Sequence, residues 1–212
     1  MHIPPGFLTP AVWAPMAGVS AASVGYALKR SGAGIDERHV PRLGVMAAFI
    51  FAAQMVNFPV AGGTSGHLMG AALAVTAFGL WPAVIIMTAV VIMQALLFQD
   101  GGLDALGANV FNMAIAGPLV AASVLSAGRR LSHRLSSVWI VSASWFSVMA
   151  AAFLCAVQLS LSGTAPMNIV LPAMLAVHAV IGLFEGIVTV VAVRFMMSVY
   201  PRMFSTSISE NS

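Results

Sequence analysis

A chain of 212 residues with 60% hydrophobic side chains, 7% charged side chains and a mean hydropathy of +0.98 is far too apolar for a water-soluble domain. It is expected to form one integral membrane domain over residues 1–212, embedded in a lipid bilayer. The net charge of +3 does not indicate a nucleic-acid partner, because the basic residues are grouped in a few connections and report orientation instead.

In chain order, apolar stretches cover residues 7–28, 43–60, 66–80, 82–98, 105–127, 137–160 and 167–198. They predict an all-α protein of seven transmembrane helices. The region from 67 to 98 is read as two short helices meeting at Gly79, Leu80, Trp81 and Pro82. A single helix of that length would reach about 48 Å against a hydrocarbon core of about 30 Å.

The charges support the same division. Lys29, Arg30, Arg38 and Arg42 follow the first span, Arg129, Arg130 and Arg134 the fifth, and Arg194 and Arg202 lie near the end. With seven spans all of these basic residues share one side, as the positive-inside rule demands; with six they do not. The amino terminus is then outside and the carboxyl terminus cytoplasmic, in a multi-pass protein of the cell (plasma or inner) membrane. The connections "NFPVAGGTSGH", "FQDGGLDALGAN" and "LSGTAPMN" carry no Lys or Arg and fall on the outer face, which places His2 and His67 on the same side.

The first span does not read as a cleaved signal, since no Lys or Arg precedes Lys29 and the apolar run is too long. Met1 is expected to be retained before the bulky His2, leaving a free amine. The Met1 amine, the His2 amide nitrogen and His2 Nδ1 can close adjacent five- and six-membered chelate rings in one plane. His67 can supply a fourth in-plane nitrogen. Square-planar all-nitrogen coordination points to Ni(II) or Cu(II) and disfavours tetrahedral zinc. It also requires an unprotonated amine and loss of the amide proton, so binding is expected to weaken in acid. The lone Cys155 reads as a small core residue.

The opening "MHIPPGFLTP", the stretch "FIFAAQMVNFPVAGGTSGHLMGAALA" and the following "ALLFQDGGLDALGANVFNMAIAGP" resemble the CbiM/NikM family, the substrate-capturing membrane components of energy-coupling factor transporters for cobalt and nickel. The resemblance covers most of the chain and is densest from about residue 43 to 118. It implies a seven-span protein whose amino terminus dips back toward an outer-face site, with Met1, His2 and His67 binding Ni(II) or Co(II) as cargo and no cofactor of its own. It also implies three kinds of partner: a transmembrane coupling protein, ABC-type ATPases and a small accessory membrane subunit. The "MHIP" opening leans toward nickel, with cobalt uptake for cobalamin synthesis as the alternative. Pro5 departs from the family, which usually has an acidic residue after "MHI".

Other polar residues have two readings. Asn57, Thr64, Ser65, Asn109 and Asn112 are candidates to hydrogen-bond and orient the imidazoles, or else to join helices. His178 and Glu185, seven apart on one helix face, read as structural or gating groups. "GTSG" at 63–66 also fits the short pattern of rhomboid-type intramembrane proteases, with Ser65 as nucleophile and His178 as base. The methionines are scattered and read as packing, not as a copper path. No GxxxxGK[ST] loop is present, so the chain is not expected to be an enzyme and ATP hydrolysis falls to partners.

Overall fold

The computed structural model describes residues 1–32, 39–60, 64–132 and 136–199, the side chains of residues 58, 59 and 64 apart. Arg38, Arg134, Arg202 and the side chain of Thr64 therefore lie outside the described residues. Helix α1 runs Pro10–Gly32 and α2 Val40–Gln54, followed by strands β1, Asn57–Val60, and β2, Thr64–His67. Helix α3 is Ala71–Phe78 and α4 Leu80–Leu97. The next span is composite, with α5 over Leu106–Val110, a π-helical segment over Phe111–Ala116 and α6 over Gly117–Ser132. Helices α7, Ser137–Leu161, and α8, Met167–Val199, are the last described elements.

Among the described residues five helical segments are long and apolar enough to cross a bilayer: α1, α4, the composite Leu106–Ser132, α7 and α8. Helix α2 has 15 residues and α3 only 8, so both fall short of a full span. The expected division of residues 67–98 is present, and its cause is Gly79, whose φ of 81° and ψ of 179° reverse the chain between α3 and α4. The stretches 43–60 and 66–80 were expected to be helical throughout and are not. Helix α2 stops at Gln54, and residues 57–60 and 64–67 pair as an antiparallel hairpin with Asn57 opposite His67. Pro59 lacks the amide a helix interior needs, which disfavours helix here without forbidding it, since α1 and α8 each hold an interior proline.

Hydrogen bonds from Thr9 to Ser162 and from Thr164 to the Phe7 carbonyl bring the start of α1 beside the α7–α8 connection. Lys29 and Arg30 close α1 about 30 Å away, and Arg129 and Arg130 close α6. Arg194, near the end of α8, donates to Ser137 Oγ at the start of α7 (2.8 Å). The described basic clusters thus sit at the helix ends far from the hairpin and the amino terminus.

Helices α7 and α8 form the most extensive helix pair, and small residues let them approach. Gly182 and Gly186 are one turn apart on α8, and a Cβ at Gly186 would stand 2.9 Å from Val141 Cα. Gly186→Leu should therefore destabilise the protein by about 1–3 kcal/mol. In thermal unfolding of the detergent-solubilised protein, its midpoint should fall clearly below the wild-type value. Gly25→Leu, at a position with open space around it, should unfold like wild type.

Candidate metal site

The amino terminus turns inward, and Met1, His2 and Ile3 are almost wholly buried. Backbone groups taken out of water must find partners, and here a single side chain supplies two of them. Asn109, near the start of the composite helix, accepts from the Ile3 amide through Oδ1 (2.8 Å) and donates to the Ile3 carbonyl through Nδ2 (3.2 Å). The Gly102 amide donates to the same carbonyl (2.9 Å), and the Gly6 amide donates to Asp104 Oδ2 (2.8 Å). The Met1 amine donates to the Ser65 carbonyl and lies 3.4 Å from Ser65 Oγ. The first three residues thus lie between the β2 strand and the 100–109 connection.

The imidazoles of His2 and His67 stack, with ring centroids 4.7 Å apart and planes at 25°. His2 Nε2 is 3.0 Å from Gln94 Oε1, an acceptor, which puts the ring proton on Nε2 and leaves a lone pair on Nδ1. His67 Nδ1 is 2.7 Å from the Leu68 carbonyl, so its lone pair is on Nε2. Neither His2 Nδ1 nor His67 Nε2 has a hydrogen-bond partner, though both are buried. Asp100 also faces His2 Nδ1, its Oδ1 lying 3.3 Å away without hydrogen-bond alignment. Two partnerless nitrogens of fixed tautomer therefore stand beside the terminal amine and the His2 amide. Among the described residues no three His, Cys, Asp or Glu side chains form a metal cage. The donors that converge here include backbone nitrogens.

Burial also fixes protonation. It lowers the Met1 amine from 8.0 to about 6, against the opposing pull of Cys155 and Asp100. Burial, then the nearby amine charge, lowers His2 to about 3, and the same two causes hold His67 well below its usual value. Asp100 is raised by burial, with the amine and Asn57 pulling it back. At neutral pH the amine and both rings are thus uncharged donors. The sign follows directly: a buried amine with a lowered pKa makes docking of the terminus weaken as pH falls from about 8 to about 6.

The residues expected to orient the imidazoles do other work. Ser65 holds the amine, Asn109 brackets Ile3, and Asn57 donates to Asp100 Oδ2 (3.4 Å). Asn112 exchanges amide hydrogen bonds with Gln158 across two helices (2.8 and 2.9 Å). The imidazole partners are instead Gln94 and the Leu68 carbonyl. Gln94 is a fully buried amide in the last turn of an apolar helix, and that cost in an intramembrane position was the available signal. Glu185 accepts from the Met69 and Gly70 amides just after His67, and His178 Nδ1 bonds the Met174 carbonyl (2.7 Å). Ser65 and His178 are thus engaged separately and form no nucleophile–base pair among these contacts. At Pro5 no acidic side chain tethers the segment; Asp104 does so at Gly6, and the Pro5 backbone packs where any side chain at Gly102 would have to sit.

Residues 2–203 match the family described as CbiM, cobalt uptake substrate-specific transmembrane region. A relative from Haloquadratum walsbyi, named for metal transport without a stated metal, is 37% identical over 214 residues, covering 100% of this chain and 96% of its own. The fused nickel transport protein NikMN of Rhodobacter capsulatus is 32% identical over 222 residues, which cover 97% of this chain and 64% of that protein. Among solved structures, a truncated transition metal transporter superposes with a TM-score of 0.88 at 33% identity, covering 93% of this chain and 99% of that one.

Asn109→Ala should release the docked terminus, because two hydrogen bonds to one buried residue are lost together, at a cost of about 1–3 kcal/mol. Hydrogen exchange at the Ile3 and Gly6 amides should become about ten- to a hundredfold faster, while exchange in α7 stays unchanged.

Proposed function

From the premise that this chain belongs to the CbiM family, a family of transport components and not of enzymes, we propose that it captures a divalent transition metal ion for an energy-coupling factor importer, with Ni(II) favoured over Co(II). The observation that carries this is the pair of buried, partnerless imidazole nitrogens beside a neutral terminal amine. The ligands proposed are the Met1 amine, the His2 amide nitrogen, His2 Nδ1 and His67 Nε2. Their tautomers support it: Gln94 and Leu68 take up the other ring nitrogens, as ligating imidazoles require. Bringing both imidazole donors into one plane requires one ring to turn out of the stack seen between them. Asp100 would then offset part of the added positive charge.

Four nitrogens in a plane suit Ni(II) better than Co(II). The cobalt named in the family description is the second reading, and competitive titration separates the two. In the membrane arrangement proposed, the chain crosses seven times in the inner (plasma) membrane, α2 and α3 making the short crossings. The amino terminus is outside and the carboxyl terminus cytoplasmic, which keeps the described basic helix ends inside. A coupling protein, ABC-type ATPases and a small accessory membrane subunit supply the energy and the loading step. Ala14, Gly18 and Ala22 on α1, with Ala48 and Ala52 on α2, are exposed and available for helix docking. Capture at the outer face is followed by reorientation and by inward release once the amino-terminal segment lets go.

Nickel titration of purified protein with an unmodified amino terminus should give about one bound ion with the optical band of a planar diamagnetic centre. His2→Ala, or one residue added before Met1, should each remove that band. If the band survives either change, the site is elsewhere.

Because the buried amine is already neutral at pH 7, nickel binding should release about one proton, from the amide. A soluble peptide with the same first three residues should release about two, since its amine has a pKa near 8. Calorimetry in buffers of different ionisation enthalpy measures both.

A further inference from the structure

Outside the four proposed nitrogens, one more imidazole nitrogen is buried without a partner among the described residues. His178, on α8, is 0% exposed; its Nδ1 is taken by the Met174 carbonyl at 2.7 Å, and its Nε2 has nothing to bond. The committed Nδ1–H leaves the lone pair on Nε2, the form that ligates metals. A buried polar atom left unpaired calls for a reason.

Position supplies one. Helix α8 packs against β2, the strand that ends in His67, and two turns beyond His178 the Glu185 carboxylate fastens the Met69 and Gly70 amides that follow His67. Glu185 thereby ties α8 to the segment that follows His67, and His178 lies on the same helix with none of its side chain exposed. Yet among the described residues no three histidine or carboxylate side chains converge on a single point. His178 is therefore beside the planar site without being a corner of it.

We infer that His67 and His178 form a second, two-imidazole metal site, through Nε2 of each ring, which holds the ion after the amino-terminal chelate has let go. This rests on the ligand set proposed above. In the exchange the Met1 amine and His2 Nδ1 leave the ion, the His2 amide nitrogen takes back a proton from water, and His178 Nε2 binds while His67 stays attached. Water completes the coordination sphere. A planar nickel site loses its ligands slowly, and an incoming imidazole gives the ion a stepwise way out. The histidine already in place would then speed release without contributing to capture.

The probe is Cu(II) added to the purified His2→Ala protein, read by pulsed electron paramagnetic resonance, which counts bound imidazoles through their remote nitrogens. Two imidazoles are expected, falling to one in His2→Ala/His178→Gln and to none in His2→Ala/His67→Ala. One imidazole in the His2→Ala protein, or a count indifferent to His178→Gln, overturns the inference; the single variant decides this even where the double one folds poorly. In the otherwise native chain, His178→Gln should keep the planar nickel band but lose its nickel to excess chelator about tenfold more slowly. Equal loss rates would also overturn it. Absence of a planar nickel centre in the unmodified protein would instead defeat the proposed function itself.

Discussion

The structure depends on one requirement: a chain end pushed into a protein interior must have every peptide group accounted for. Met1 to Ile3 bring an amine, two amides and three carbonyls into a buried region, where an unmet donor or acceptor costs about 1–3 kcal/mol. Asn109 meets both groups of Ile3, Gly102 adds a second donor to its carbonyl, and Ser65 takes the amine. These partners come from positions 65 to 109, so the end can dock only after the hairpin and the composite helix have come together. The two prolines after Ile3 help, since neither has an amide that would need a partner.

The second fixed point is His67, and it is held from behind by the residues that follow it. The Met69 carbonyl accepts from Gln54 Nε2 of α2 (2.6 Å), while the Met69 and Gly70 amides go to Glu185 of α8. A buried carboxylate is costly unless it is well bonded, and these amides sit at the amino end of α3, where the helix dipole adds to the attraction. Gly70 must be glycine twice over. Its φ is +83°, and a Cβ there would stand 2.9 Å from Ile50 Cγ2. His67 is thereby set by α2, α3 and α8 together, and a shift of α8 would be felt at its ring.

Much of this was legible in the residues. The break between α3 and α4 was written in Gly79 and Pro82, and His2 and His67, paired on paper by their shared side of the chain, do stack. The hairpin was not, because "VNFPV" and "TSGHLM" are apolar enough to extend the flanking helices on hydropathy alone. Its pairing joins residues only four to ten positions apart, and hydropathy carries no sign of it, while Pro59 permits it without dictating it. Nor was the role of Gln94 legible. A lone amide near the end of an apolar helix signals importance but not a partner, and its partner is 92 positions away. Asn57, Ser65, Asn109 and Asn112 were expected to orient the imidazoles or to join helices. Their partners proved to be backbone, carboxylate and amide groups, because the terminal peptide groups were the larger unmet demand.

If the metal is held as proposed, three of its four donors belong to the first two residues of the chain. Affinity then concentrates in a segment that is fastened to the protein by a handful of hydrogen bonds to Asn109, Gly102, Asp104 and Ser65. Holding the ion and holding the chain end become one equilibrium, and whatever loosens those bonds also lowers the affinity. The buried, neutral amine works in the same direction: it binds without first losing a proton, so capture at neutral pH is limited by the amide, and acid opposes both docking and chelation. A transporter needs tight capture and prompt release from the same donors. Here a small movement of one chain end would remove three of them at once, whereas a cage built from several rigid helices would have to be opened helix by helix.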